Sequence, residues 1–90
     1  MGEESGLMDF YGLECGPCKR MTVLIDQLEK EFGVKVGRYE VWHDAKNQAL
    51  MLKYAEGRCL SVPFLYNSKT GEFLCGETDY EHLKKWAGLG

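Results

Sequence analysis

Two cysteines with two residues between them, Cys15 and Cys18, separate a short apolar run from a long amphipathic stripe, and this junction constrains the chain more than any other feature. Leu7-Met8-Asp9-Phe10-Tyr11 reads as a short, largely buried strand, with Asp9 the one carboxylate inside it. Gly12 to Gly16 reads as a loop, and Pro17 suits the first turn of a helix because its fixed φ is helical and its missing N–H is not needed there. Met21, Leu24, Ile25, Leu28 and Phe32 then recur at spacings of three and four, the stripe of a helix of roughly four turns that Gly33 ends. The sulfur pair therefore sits where a strand hands over to a helix N-terminus.

The remaining elements follow in the same way. Val34 to Trp42 is rich in β-branched and aromatic residues and is expected to be a central strand, buried on both sides or bulged. Asp44 is a suitable N-cap for a second helix to about Glu56, with Leu50, Tyr54 and Ala49, Met51 or Leu52 on its buried face and Gly57 as its stop. Two apolar runs, Ser61 to Tyr66 and Glu72 to Cys75, flank the polar link Asn67 to Gly71 and read as an antiparallel hairpin. Thr78-Asp79-Tyr80-Glu81 has a capping-box pattern, after which Leu83, Trp86 and Ala87 give a short final helix one packing face before Gly88. The order is βαβαββα: an α/β chain with a central four-stranded mixed sheet flanked by helices.

Ninety residues suffice for one domain, which buries about 60% of the surface its unfolded chain exposes. The division expected is a flexible start over residues 1–6 and a single domain over 7–90. Eleven Lys and Arg against fourteen Asp and Glu, a net charge of −3, provide no basic field for a phosphate backbone, so nucleic-acid binding is not expected. No apolar stretch approaches the ~20 residues of a membrane span, and the start has no secretory pattern, so a cytoplasmic location without membrane contact is expected. The molecule is expected to be a monomer.

The chemistry lies in the cysteines. A Cys15–Cys18 bond closes so small a loop that it removes little entropy from the unfolded chain, so reactivity accounts for the pair better than stapling. The amides of a helix N-terminus favour a thiolate on Cys15, which is expected to be the exposed, attacking sulfur. Cys18, one turn further in, would resolve the resulting mixed disulfide. Lys19 favours the thiolate and Glu14 opposes it. An inert staple and half of a metal site are the competing readings of the pair.

Asp9, if buried, has its pKa raised by desolvation and is placed to exchange a proton with Cys18; if exposed on an edge strand it has no such role. Pro63 either starts a strand in the trans form or is cis, which would turn the amide and carbonyl of Val62 toward an incoming extended polypeptide. Cys59 and Cys75 are expected to be free thiols packed as small hydrophobes, with an auxiliary disulfide, regulatory oxidation or metal ligation as alternatives. Their spacing from Cys15 and Cys18 does not resemble a zinc knuckle. His43 and His82 read as ordinary loop and helix residues. No Gly-x-Gly-x-x-Gly or Walker loop is present, so no cofactor is expected and electrons must come from another molecule.

The segment from Asp9 to Lys19, with Cys15-Gly16-Pro17-Cys18 at its centre, resembles the active-site strand and helix start of the thioredoxin family. Asp9, six positions before the first cysteine, matches the family's buried acid. Val62-Pro63 matches its cis-proline and the residue before it, and Gly76 matches the glycine after its hairpin. The resemblance organises residues 7 to 87. It implies a cis Pro63 acting beside the cysteines, and a peptide groove lined by Gly16, Pro17, Val62 and Gly76. The short start resembles the smaller glutaredoxin-like core, whereas Gly16-Pro17 and Asp9 resemble thioredoxin. Glu14 stands where the family usually has tryptophan, and so does Tyr11.

What the resemblance implies is a protein-disulfide reductase without a bound cofactor. Its partners would be oxidised proteins and a thioredoxin reductase or related flavin or iron-sulfur reductase. A glutathione-linked oxidoreductase is the near alternative, and a metal-binding or redox-sensing adaptor the distant one.

Overall fold

The computed structural model describes residues 5–89. The elements are β1 (Leu7–Tyr11), α1 (Gly16–Phe32), β2 (Gly37–Glu40), α2 (Ala45–Ala55), β3 (Phe64–Asn67), β4 (Phe73–Cys75) and α3 (Tyr80–Trp86). They follow the expected order, and the strands form one mixed sheet in the order β2-β1-β3-β4. β1 runs parallel to β2 and antiparallel to β3, and β3 is antiparallel to β4.

Alternation along β1 divides the core into two layers, because successive side chains leave a strand on opposite faces. Leu7 packs with Met21, Ile25 and Leu28 of α1 and Leu83 and Trp86 of α3. Met8 and Phe10 pack with Met51 and Ala55 of α2. Asp9 alternates with Met8 and Phe10, so it faces the α1 side, next to the helix that carries Cys18.

Several local expectations are revised. Val34 to Trp42 does not form a central strand: only Gly37–Glu40 is extended, at an edge of the sheet, because β3 takes the other side of β1. Val36 and Val41 supply the burial just outside it. Phe32, at the end of the α1 stripe, is exposed, and on α2 the buried residues are Met51 and Ala55 whereas Ala49 and Leu52 face out. α3 is capped by Asp79, whose carboxylate accepts from the His82 amide at 2.9 Å, and not by Thr78. Asp44 caps α2 as expected, and Gly33 closes α1 in the left-handed region at φ 68°.

Residues 1–4 of the expected flexible start lie outside the described residues. Ser5 and Gly6 are tied in: the Gly6 carbonyl accepts from the Ser68 amide at 2.8 Å, and the Ser5 hydroxyl donates to the Lys35 carbonyl. No helix among the described residues is long and apolar enough to cross a membrane.

Candidate functional site

β1 ends at Tyr11, and a turn closed by the Cys15 amide donating to the Gly12 carbonyl (3.1 Å) carries the chain into α1. Cys15 is the N-cap of that helix. Its Sγ accepts the Cys18 amide at 3.1 Å, doing with sulfur what a Ser or Asp oxygen ordinarily does at this position. The Cys18 amide and the aligned peptide dipoles of α1 thus point at the Cys15 sulfur, where they favour negative charge.

Cys15 and Cys18 are joined by a disulfide. Both are buried in this oxidised form, 5% and 2% exposed, so the expected contrast between an exposed Cys15 and an inner Cys18 is not present. The segment before β3 lies against the pair, with the Val62 carbonyl 3.9 Å from Cys15 Sγ. The Val62-Pro63 peptide bond is cis, as the family resemblance implied. The Pro63 carbonyl accepts the Gly76 amide at 2.8 Å, and Gly76 has φ 96°, a conformation that favours glycine. Val62, Pro63 and Gly76 therefore converge. Gly16 and Lys19 are exposed and Pro17 is half-buried.

Asp9 is buried, 2% exposed. Desolvation pushes its carboxyl up to about 7 against the opposing pull of the Arg38 guanidinium, and among the described residues its Oδ1 has no hydrogen-bond partner. A carboxyl held this way changes protonation near neutral pH.

Glu14 and His43 were not connected by the sequence. Here the Glu14 carboxylate meets His43 Nε2 at 2.8 and 2.9 Å, and this hydrogen bond, followed by the charge of Glu14, raises the imidazole's pKa. Protonated His43 therefore offsets the negative charge next to Cys15. Glu40 is a further anchor that sequence reasoning missed. Its carboxylate accepts from the amides of Leu13 (3.0 Å), Trp42 (3.2 Å) and His43 (2.8 Å), joining the cysteine loop to the turn after β2. Desolvation works against the Glu40 anion, but these amides outweigh it and lower its pKa. A carboxylate far along the chain whose partners are backbone amides leaves no mark in the sequence pattern.

Trp42, half exposed, packs on the same loop: a Cβ added to Gly12 would come within 2.3–2.6 Å of its ring atoms. With Met51, Leu52, Leu60 and Val62, Trp42 borders an apolar groove of about 140 Å³. No pattern in the sequence marks these side chains as a groove; only the fold brings them beside Val62.

Cys59 and Cys75 are not free thiols; they are bonded to each other. The register of β3 on β4 sets Cys75 opposite Phe64, and the turn at the end of α2 brings Cys59 back to it. Cys59 is buried and Cys75 exposed.

No family model matches the chain. Thioredoxin of Bacillus subtilis (strain 168) is 35% identical over 66 residues, which are 73% of this chain, and the chain spans about 60% of that relative's length. A mutant thioredoxin from Halobacterium salinarum superposes with a TM-score of 0.66 at 28% identity, over 90% of this chain and 73% of that one. Glutaredoxin from Archaeoglobus fulgidus has the same fold, with a TM-score of 0.67 at 18% identity over 90% of this chain and 84% of that one. The sulfur pair at the head of α1, the mixed sheet behind it and the similarity in sequence agree: the chain has the thioredoxin-like fold and is similar in sequence to thioredoxin.

Proposed function

We propose that this protein is a thiol–disulfide oxidoreductase that reduces disulfides in other proteins through Cys15 and Cys18. The observation that carries this reading is Cys15 Sγ accepting the Cys18 amide at the first turn of α1. That contact favours negative charge on Cys15 and makes it the attacking sulfur. The reduced Cys15 thiolate attacks one sulfur of a substrate disulfide, forming a mixed disulfide and releasing the other substrate sulfur as a thiolate that takes up a proton. Cys18 gives its proton to Asp9, whose carboxyl is poised near neutrality, and the Cys18 thiolate attacks Cys15 Sγ. The substrate's second sulfur leaves and is protonated. Two electrons have passed to the substrate, and the Cys15–Cys18 disulfide remains.

Val62, Pro63, Gly76, Gly16 and Pro17 bind the extended substrate backbone in this account. The apolar groove beside Trp42 and Leu60 takes an adjoining side chain. Lys19 and the Glu14–His43 pair set the local charge. A reductase of the thioredoxin-reductase class returns electrons to the disulfide.

The test is turnover of a protein disulfide in a controlled thiol buffer. Cys15→Ser and Cys18→Ser are both expected to abolish turnover, and equal activity in the wild type and both variants contradicts the mechanism. Replacing the thiol buffer by glutathione with its reductase, or by a thioredoxin reductase, separates the glutathione-linked alternative by which system recycles the protein.

A further inference from the structure

The mechanism leaves the second disulfide unused, and its surroundings differ from those of a buried staple. Cys75 is exposed on β4, the edge strand of the sheet, whereas Cys59 is 5% exposed. The bridge lines an open cavity of about 460 Å³ together with Gly57, Arg58 and Leu60. Leu60, at 96% exposure, leaves the entrance open. An attacking sulfur thus has access to Cys75 and very little to Cys59.

The buried sulfur has a place to go. Cys59 Sγ lies 3.2 Å from the Ser61 carbonyl, an acceptor for its S–H once the bridge opens, and 3.9 Å from the Ser61 hydroxyl, a donor to its thiolate. The exposure of Cys75 makes it the sulfur that is attacked; Cys59 departs as a thiolate to which the Ser61 hydroxyl donates, and once protonated its S–H is accepted by the Ser61 carbonyl.

The cavity also has a charge of one sign. Arg58 is held by its Nη1 donating to the Tyr54 carbonyl (3.0 Å) and by guanidinium contacts with the rings of Tyr66 and Phe73, at 5.8 and 6.0 Å from their centroids. Among the described residues it has no carboxylate partner. A fixed guanidinium beside an accessible sulfur selects for a thiol that carries carboxylate groups.

We propose that Cys59–Cys75 is a second thiol–disulfide exchange centre, which accepts a carboxylate-bearing low-molecular-weight thiol onto Cys75 with Arg58 holding its carboxylate. The incoming thiolate bonds to Cys75 Sγ as the Cys59–Cys75 bond breaks, and Cys59 leaves as a thiolate that is then protonated. A second molecule of the thiol attacks the sulfur of the first, frees Cys75 as a thiol and departs as a small disulfide. The bridge gains two electrons and the two small thiols lose them.

The experiment treats the oxidised wild-type protein with a mixture of reduced and oxidised glutathione, or with the uncharged 2-mercaptoethanol and its disulfide. After acid quenching, the adducts are assigned by intact mass and peptide mapping, which separates Cys75 from Cys15 adducts whatever happens at the first pair. Glutathione is expected on Cys75 with Cys59 as a thiol. Arg58→Gln is expected to slow this adduct about fivefold while changing the 2-mercaptoethanol rate less than about twofold, and Arg58→Lys to restore most of the loss. An adduct on Cys59, a bridge still closed when Cys15–Cys18 is fully reduced, or an Arg58→Gln variant that slows both thiols equally overturns the proposal. As a check independent of Arg58, Cys59→Ser treated with oxidised glutathione is expected to take it up at Cys75, and a Cys75 that stays unmodified contradicts the proposal.

Discussion

The two disulfides of this chain perform different physical tasks. Cys15–Cys18 closes a sequence separation of 3, Cys59–Cys75 one of 16. On a chain-entropy basis the first stabilises the fold by about 1.5 kcal/mol and the second by about 3 kcal/mol. The pair that contributes less to stability stands where it matters to sulfur chemistry: at a helix N-terminus, against the cis-proline segment and on the sheet face that buries Asp9. The pair that contributes more connects the end of α2 to the edge of the sheet. Motif spacing alone does not assign a cysteine pair its task; the element that each sulfur caps or crosses does.

The largest effect that sharpens this contrast belongs to Asp9. Its carboxyl rises from 3.8 to about 7 on folding, so between those values the folded chain holds a proton that the unfolded chain has lost. Stability therefore falls as pH rises through that window, by up to about 4 kcal/mol above it. Asp9→Asn is expected to remove this slope, making the variant more stable than wild type at pH 8 in denaturant titrations while slowing turnover. A wild type whose stability is flat from pH 4 to 8 would detach Asp9 from the first pair.

Next in size is the second bridge. Replacing Cys59 and Cys75 together by Ala is expected to lower stability by about 3 kcal/mol, measured by urea unfolding. A loss no larger than that from replacing Cys15 and Cys18 would erase the difference between the pairs.

The smallest effect concerns the loop ahead of Cys15. Gly12→Ala drives a Cβ into the rigid ring system of Trp42 and is expected to cost about 1–2 kcal/mol, with a shift in tryptophan fluorescence as the ring moves. An unchanged spectrum would show that Trp42 does not pack on that loop.

Much of this was legible in the sequence because it is written in local pattern. The stripe of α1, Asp44 as a cap, the hairpin and the strand–loop–helix setting of Cys15 all follow from neighbouring residues. Asp9 was recognisable as a charge in an apolar run. The cis form of Val62-Pro63 was legible only through family resemblance, since a generic X-Pro bond favours trans.

The remainder depends on register and on polar contacts across the chain. Cys59 and Cys75 each look like a small buried hydrophobe until the turn after α2 brings Cys59 to the end of β4, where Cys75 lies. Glu14 finds His43, and Glu40 finds the Leu13 amide, across 29 and 27 residues, with no periodicity to announce them. β2 was misplaced to the centre of the sheet because its apolar content comes from Val36 and Val41, which flank the paired residues.

The central claim is that Cys15 attacks and Cys18 releases, and it is tested most directly by capturing the covalent intermediate. Reduced Cys18→Ser is incubated with an oxidised protein substrate, alkylated, and mapped by mass spectrometry. A stable mixed disulfide through Cys15, absent from Cys15→Ser, is the outcome expected. A mixed disulfide that forms through Cys18 in the Cys15→Ser variant, with none through Cys15, would contradict it.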